Sequence, residues 1–313
     1  MMNNKRKQFL VEQLQHFATT KGLSQADVKR ELDIPERYLI EMFKGVFTYD
    51  NGRDIPLKHF SKIEDYLGLS KEKQIWKLVP TTQAEQILAI LTDAKDYGYT
   101  NLIIGETGSG KTFLSDRFIQ KSPKDSFKIT VGSTDTIADL LDKILDVLKI
   151  PQGKSKSKKL NDIVKKLVQL KYEGYKPILI FDESEYMKQA TLCNMKELHD
   201  HLSGKCGVVM IGTDQLLVKL DKLKKKNRDG IPQFYRRVKF NIRTLNGIDT
   251  SFKAFLNALN ITDKSFIKFL QSNCENYGEL HDALVPVLRE SERTGEPLTE
   301  NFARLVLNLP SYR

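Results

Sequence analysis

Residues 105–112 read Gly105-Glu106-Thr107-Gly108-Ser109-Gly110-Lys111-Thr112, and no other stretch restricts the fold so tightly. A loop of this pattern belongs between a strand and a helix N-terminus. The flanking residues supply both. Asn101-Leu102-Ile103-Ile104 is a short apolar strand, and Phe113-Leu114-Ser115-Asp116-Arg117-Phe118-Ile119 has helical spacing. The glycines let the backbone bend so that successive N–H groups face inward around phosphate oxygens. The following helix presents its positive end to the same anion. Lys111 is expected to reach the terminal phosphates and the Thr112 hydroxyl to ligate Mg²⁺. The octet is a candidate nucleotide site, with ATP and Mg²⁺ as the expected cofactors.

A second half of such a site lies downstream. Ile178-Leu179-Ile180-Phe181-Asp182-Glu183 has four consecutive apolar residues ending in two acids. The apolar run suits a central parallel strand covered on both faces. Asp182 would hold Mg²⁺ through its water shell, and Glu183 would orient the water that attacks the γ-phosphate. A Glu beside the metal Asp favours ATP hydrolysis over small-molecule phosphorylation. Between the two motifs, Phe127–Val131 is a further expected strand, accompanied by two amphipathic helices. Ser133 is the expected cap of the first, with apolar positions Ile137, Leu140, Leu141, Ile144, Leu145 and Leu148. The second carries Leu160, Ile163, Val164, Leu167 and Leu170.

The chain has 313 residues, 40% hydrophobic and 29% charged, which implies two or three domains. No apolar run reaches membrane-spanning length, and Met1–Gln8 lacks the apolar core of a signal peptide. Cys193, Cys206 and Cys274 have no ligand-like spacing and read as free thiols, so a cytoplasmic location is expected. The net charge of +10 favours a polyanionic partner, while the lack of a spanning run implies no membrane partner.

Two more strands complete the pattern. Gly207-Val208-Val209-Met210-Ile211 ends in Gly212-Thr213-Asp214, and Val238–Ile242 follows Phe234-Tyr235-Arg236-Arg237. With these the chain resembles the AAA+ ATPases. The resemblance implies that Thr213 senses the γ-phosphate; the alternative is a turn-forming threonine. It also implies that Arg236 or Arg237 projects into a neighbouring subunit's ATP site as an arginine finger. The pair could instead be solvated or face DNA. Residues 249–309 read as an all-helical lid. In Gly278-Glu279-Leu280-His281-Asp282, His281 stands where the family has an arginine, and no role in hydrolysis is assigned to it.

The segment Leu23–Gly45 resembles a helix-turn-helix of the phage-repressor kind. Ser24 caps its first helix with Asp27 completing a capping box. Ala26 is the small residue at the helix crossing, Asp33 and Ile34 form the turn, and a second helix runs from Glu36 to Phe43 with Gly45 ending it. Arg37, Tyr38 and Lys44 are the candidate DNA contacts. Glu36 and Glu41 on the same helix leave open a small helical domain for protein contacts. The domain continues through an amphipathic helix at Leu57–Leu69, and Lys71–Leu78 links it onward. Two basic runs follow. Lys154–Lys159 reads as a solvated loop between helices. Lys219–Arg228 follows the sensor strand and its short helix, and its Lys222, Lys224, Lys225, Lys226 and Arg228 are candidate phosphate contacts. No aromatic interrupts that run.

The expected architecture is therefore an α/β P-loop AAA+ core, a parallel sheet flanked by helices, at residues 79–245. An all-α helix-turn-helix domain precedes it at 1–78, and a helical lid follows at 246–313. In this order the chain resembles the Mu B-like transposition ATPases of phages and transposons. Membership would imply ATP-dependent helical self-assembly on double-stranded DNA with little sequence preference. It would also imply delivery of that DNA to a DDE-type transposase and hydrolysis that dismantles the filament. The alternatives are a helicase loader or initiator, and an ATP-gated transcription regulator.

Overall fold

A computed structural model describes residues 4–49, 52–67, 76–151, 153 and 155–310. The chain divides into two compact units, Met1–Ile75 and Trp76–Arg313. The expected linker residues 71–75, residues 68–69 of the helix before it, and Lys154 lie outside the described residues.

The first unit contains α1 (Asn4–Lys21), α2 (Gln25–Leu32), α3 (Glu36–Phe43), β1 (Thr48–Tyr49), β2 (Arg53–Asp54) and α4 (Leu57–Tyr66). Ser24 caps α2 by accepting from the Asp27 N–H, and Asp27 reaches back to the Ser24 N–H. Asp33 takes the left-handed conformation that turns the chain into α3. The end of α3 closes as a Schellman turn: the Gly45 N–H donates to Met42 O and the Val46 N–H to Glu41 O. Leu10, Leu14, Ile34, Leu39, Met42, Phe60 and Ile63 form the core. Two details differ from the sequence reading. Ala26 is exposed, and Val28 and Leu32 supply the buried face of α2. The antiparallel hairpin β1–β2 was not expected, because two-residue strands are too short to leave an alternating pattern.

The second unit is built on a five-stranded parallel sheet. Its strands are β3 (Thr100–Ile104), β4 (Ser126–Thr130), β5 (Ile178–Asp182), β6 (Gly207–Gly212) and β7 (Ile242–Thr244), in spatial order β4-β5-β6-β3-β7. On one face lie α5 (Thr82–Tyr97) and α6 (Lys111–Lys121), packed on Ile103, Ile178, Ile180, Val209 and Ile211. On the other lie α7 (Ile137–Val147), α8 (Lys156–Tyr172), α9 (Gln189–Leu202), α10 (Asp214–Lys225) and α11 (Ile231–Val238). Covering on both faces explains the unbroken apolar runs of β5 and β6. Each fully buried Ile, Leu or Phe there contributes about 1.5–3 kcal/mol.

Three boundaries are corrected. The cap of α7 is Thr136 in a capping box with Asp139, not Ser133. Lys156–Lys159 is the first turn of α8, not a loop, and Lys159 pairs with Asp142. The last strand begins at Ile242. Val238 ends α11, because Ile231, Phe234 and Val238 bury one helical stripe, and Lys239–Asn241 is a single 3₁₀ turn. The Phe240 side chain, inside the expected strand, is 77% exposed.

After the sheet come α12 (Lys253–Ala258), α13 (Lys264–Asn273), α14 (Tyr277–Thr294) and α15 (Glu300–Val306). They share a core of Phe252, Phe266, Leu270, Leu280 and Leu284 with Val79. Tyr277 joins this helical layer to the sheet layer: its hydroxyl donates to Gln83 Oε1 at 2.9 Å and accepts from the Asp249 N–H. Among the described residues no helix is long and apolar enough to cross a membrane.

Candidate nucleotide site

All five strands of the larger sheet run parallel, so their C-terminal ends gather on one edge, where ligands of open α/β sheets bind. The octet leaves β3 between β6 and β7. A cleft of about 470 Å³ opens there. It is lined by residues 107–112, by Asp182 at the end of β5 with Glu183 and Glu185 beyond it, and by Gly212 at the end of β6 with Thr213 beyond it. Residues 76–79, Asp116 of α6 and the α14 residues Tyr277, Gly278 and His281 also line it. The topology therefore brings Lys111, Thr112, Asp182, Glu183 and Thr213 together. Gly105 and Glu106 precede the lining residues and meet Lys111, whose Nζ donates to Gly105 O at 2.8 Å and to Glu106 O at 2.6 Å.

The loop's glycines have specific geometric jobs. Gly110 has φ +86° and caps α6 in the left-handed region, where a side chain is strained. Gly108 has φ +76°, and a Cβ there would collide with Asn276 Oδ1. Asn276 is the N-cap of α14, accepting from the Glu279 N–H, and the Gly278 N–H donates to Gly108 O at 3.3 Å. The phosphate loop and the start of α14 thus touch through backbone and cap.

Electrostatically the cleft sets Lys77 and Lys111 against four acids, Asp116, Asp182, Glu183 and Glu185. Burial pushes the Lys111 ammonium below the ordinary lysine range, and Glu185, Asp182 and Glu106 act against that shift. Asp182 is buried; its Oδ1 accepts from the Glu183 N–H and its Oδ2 lies 3.1 Å from Lys128 Nζ. Glu183 is exposed to the cleft and sits at φ +57°, an uncommon conformation for a non-glycine residue. Thr213 caps α10 by position, with Oγ1 buried and unpartnered among the described residues; Glu185 Oε2 is in the same state. An added Cβ on Gly212 would lie 2.9 Å from that Glu185 oxygen, and Glu185 and Thr213 both line the cleft. Buried polar atoms are rarely left without a partner, and such exceptions concentrate at functional positions. The Thr112 hydroxyl and Asp182 carboxylate are hard oxygen donors at one cleft, a set that fits Mg²⁺ with waters completing the shell.

Several cleft residues escaped the sequence reading. Trp76 stacks on Phe255 at 5.0 Å, and His281 meets its edge at 5.1 Å, forming an aromatic wall. Glu185 stands two residues past the recognised acid pair. Asp116 lines the cleft and Lys128 pairs with Asp182 behind it, and neither carries a motif. A lone tryptophan in a linker-like stretch was the only signal of the wall.

The two arginine candidates differ. Both lie on α11, six and five residues before β7. Arg237 is committed to Asp200, with Nε and Nη2 donating at 2.5 and 3.0 Å and Nη1 donating to Gln233 O. Arg236 is exposed and makes no ion pair or hydrogen bond among the described residues. Lys222, Lys224 and Lys225 form the last turn of α10, with Lys226 its C-cap and Arg228 just beyond. The run is thus largely helix and does not follow it. All five side chains are exposed. The packing of α11 brings in an aromatic that the run itself lacks: Lys224 Nζ lies 3.9 Å from the Tyr235 ring centre.

In the first unit, Tyr38 is only 5% exposed and packs against Tyr49 and His59. Its ring is core, which corrects the expectation of a surface contact. Arg37 lies over the rings of Tyr38 and Tyr49 and donates to the Tyr38 hydroxyl. Lys44 is exposed and pairs with Glu41 at 2.9 Å.

Comparison with known proteins agrees with this architecture. Residues 95–220 match the family model described as AAA domain. The Orc2 protein of Aeropyrum pernix, in its ADPNP–ADP complexes, superposes with a TM-score of 0.54 at 15% identity. The match covers 76% of this chain and 72% of that one. Cdc6p from Pyrobaculum aerophilum gives 0.51 at 17% identity, over 72% of this chain and 66% of that one. No curated protein matches the chain in sequence. The fold of the second unit is the AAA+ P-loop fold.

Proposed function

We propose that the chain is an ATP-hydrolysing AAA+ switch that assembles on double-stranded DNA with little sequence preference and presents it to a DDE-type transposase. The observation that carries the ATPase reading is the convergence of Lys111, Thr112, Asp182, Glu183 and Thr213 on one cleft. Residues 105–112 cradle the phosphates, and Lys111 neutralises the terminal ones. Thr112 and Asp182 would hold Mg²⁺, which supplies charge neutralisation at the β- and γ-phosphate oxygens. Glu183 orients the attacking water, and the Thr213 hydroxyl reports the γ-phosphate. The ADPNP and ADP of the Orc2 complexes support the same nucleotide class.

Among the described residues no arginine lines the cleft to meet the transferred phosphoryl group. Arg236, exposed and uncommitted, is the finger offered to a neighbouring copy. Hydrolysis is then linked to assembly, and assembly multiplies weak phosphate contacts from Lys222, Lys224, Lys225, Lys226 and Arg228. Transposase delivery rests on the resemblance to Mu B-like ATPases. A helicase loader or initiator is the second reading, favoured by the fold shared with Orc2 and Cdc6p.

Electron microscopy with random-sequence duplex DNA, with and without an ATP analogue, tests the proposal. Filaments that require the analogue are expected. Binding confined to one DNA sequence, or no assembly, refutes it. Stimulation of ATPase turnover by a helicase and by no transposase selects the second reading.

A further inference from the structure

Lys128 occupies a position that the nucleotide chemistry does not use. Strands place residues two apart on one face, and the β4–β5 register sets Lys128 beside Ile180 and Thr130 beside Asp182. Lys128 therefore emerges on the Asp182 face, under α6. Its ammonium lies 3.1 Å from Asp182 Oδ2, 2.7 Å from Asp116 Oδ1 and 3.5 Å from Thr112 O. The Lys128 side chain is 13% exposed, so the charge is held there rather than waving in solvent. Asp182 is then fully engaged by the chain itself, with Lys128 on one oxygen and the Glu183 N–H on the other. Lys111 adds a second cation facing the same acid.

We propose that Lys128 competes with the divalent cation for Asp182, and that Asp116 draws Lys128 away, so that the pair sets the metal affinity of the site. This rests on the reading of the cleft as a nucleotide–Mg²⁺ site. The cation needs the Asp182 carboxylate, and so does the ammonium a hydrogen bond away. Like charges a few ångströms apart at a partly solvated site shift an affinity by about tenfold. Asp116 is half exposed on α6 and remains a partner for Lys128 when the metal takes Asp182. The arrangement makes nucleotide binding answer to free Mg²⁺ in a range chosen by two residues outside the phosphate loop. Lys128 is a positioning residue here, acting through Asp182.

The test uses the full chain, a fluorescent ADP analogue titrated at fixed free Mg²⁺ levels, and Mn²⁺ binding followed by EPR. Wild-type protein comes first. If it binds no nucleotide at any Mg²⁺ level, the nucleotide reading itself fails, separately from the competition. Given binding, K128M is expected to lower the Mg²⁺ midpoint and the Mn²⁺ dissociation constant about tenfold, with K128R close to wild type. D116N is expected to raise both about threefold, and to change them less than twofold in a K128M background. Unchanged midpoints in K128M and D116N, or weaker metal binding in folded K128M, overturn the proposal. Should K128M fail to fold, D116N decides alone: a raised midpoint supports competition, and an unchanged one refutes it.

Discussion

Gly108→Ala tests whether the phosphate loop and α14 are mechanically joined. Two separate penalties are readable from the structure. The residue sits at φ +76°, which costs an alanine about 1 kcal/mol. Its new methyl would also displace the Asn276 side chain, which caps α14. Losing an asparagine cap costs about 1 kcal/mol. The expected destabilisation is therefore about 2 kcal/mol, and Asn276→Ala alone should cost about 1 kcal/mol. The double variant loses the same cap only once, so it should also sit near 2 kcal/mol, leaving a coupling of about 1 kcal/mol. The assay has a built-in reporter. The chain has one tryptophan, and Trp76 stacks on Phe255 inside the same unit. Urea unfolding followed by its fluorescence reads that unit without the other. Simple additivity, with the double variant near 3 kcal/mol, would refute the contact as the source of the effect.

Lys111→Ala should abolish ATP binding and ATP-dependent DNA binding together; retained cooperative DNA binding in a gel-shift titration would contradict their coupling. Glu183→Gln should still bind ATP but turn over about 10²- to 10³-fold more slowly and persist on DNA, which single-turnover kinetics and dissociation rates would show. Arg236→Ala should lower assembly-dependent ATPase activity by about 10³-fold with nucleotide affinity unchanged, whereas Arg237→Ala should mainly cost up to about 1 kcal/mol by leaving Asp200 with Lys196 alone; reversed phenotypes would reassign the finger. Burial holds the His59 imidazole below its usual range in the folded first unit, with Lys58 and Lys62 adding to the effect. The unfolded chain thus takes up a proton first as pH falls through about 6.5, so that unit should lose stability from there downward. Thermal unfolding followed by tyrosine signal between pH 7.5 and 5 should show it, and His59→Phe should flatten the slope.

What the sequence determined by itself is the local chemistry. The octet, the apolar strands before it and at 178–181, and the Asp182-Glu183 pair are runs of adjacent residues whose meaning does not depend on distant partners. The Ser24–Asp27 capping box and the left-handed Asp33 were legible for the same reason, being interactions within one turn. The last strand was misplaced because Val238, Phe240 and Ile242 alternate as a strand does. Only packing shows that Val238 continues the buried stripe of Ile231 and Phe234 while Phe240 faces solvent. Tyr38 reads as a groove contact from its place on the second helix of the helix-turn-helix-like segment, yet Tyr49 and His59 enclose it. The residues that tune the cleft belong to the tertiary structure alone. Lys128 meets Asp182 across a strand register, Glu185 and Thr213 line one cleft from the ends of two strands, and Asn276 caps a helix against a glycine in a distant loop. Parallel strands need long crossovers, so residues adjacent at the sheet's edge are far apart in the chain, and no sequence window contains both.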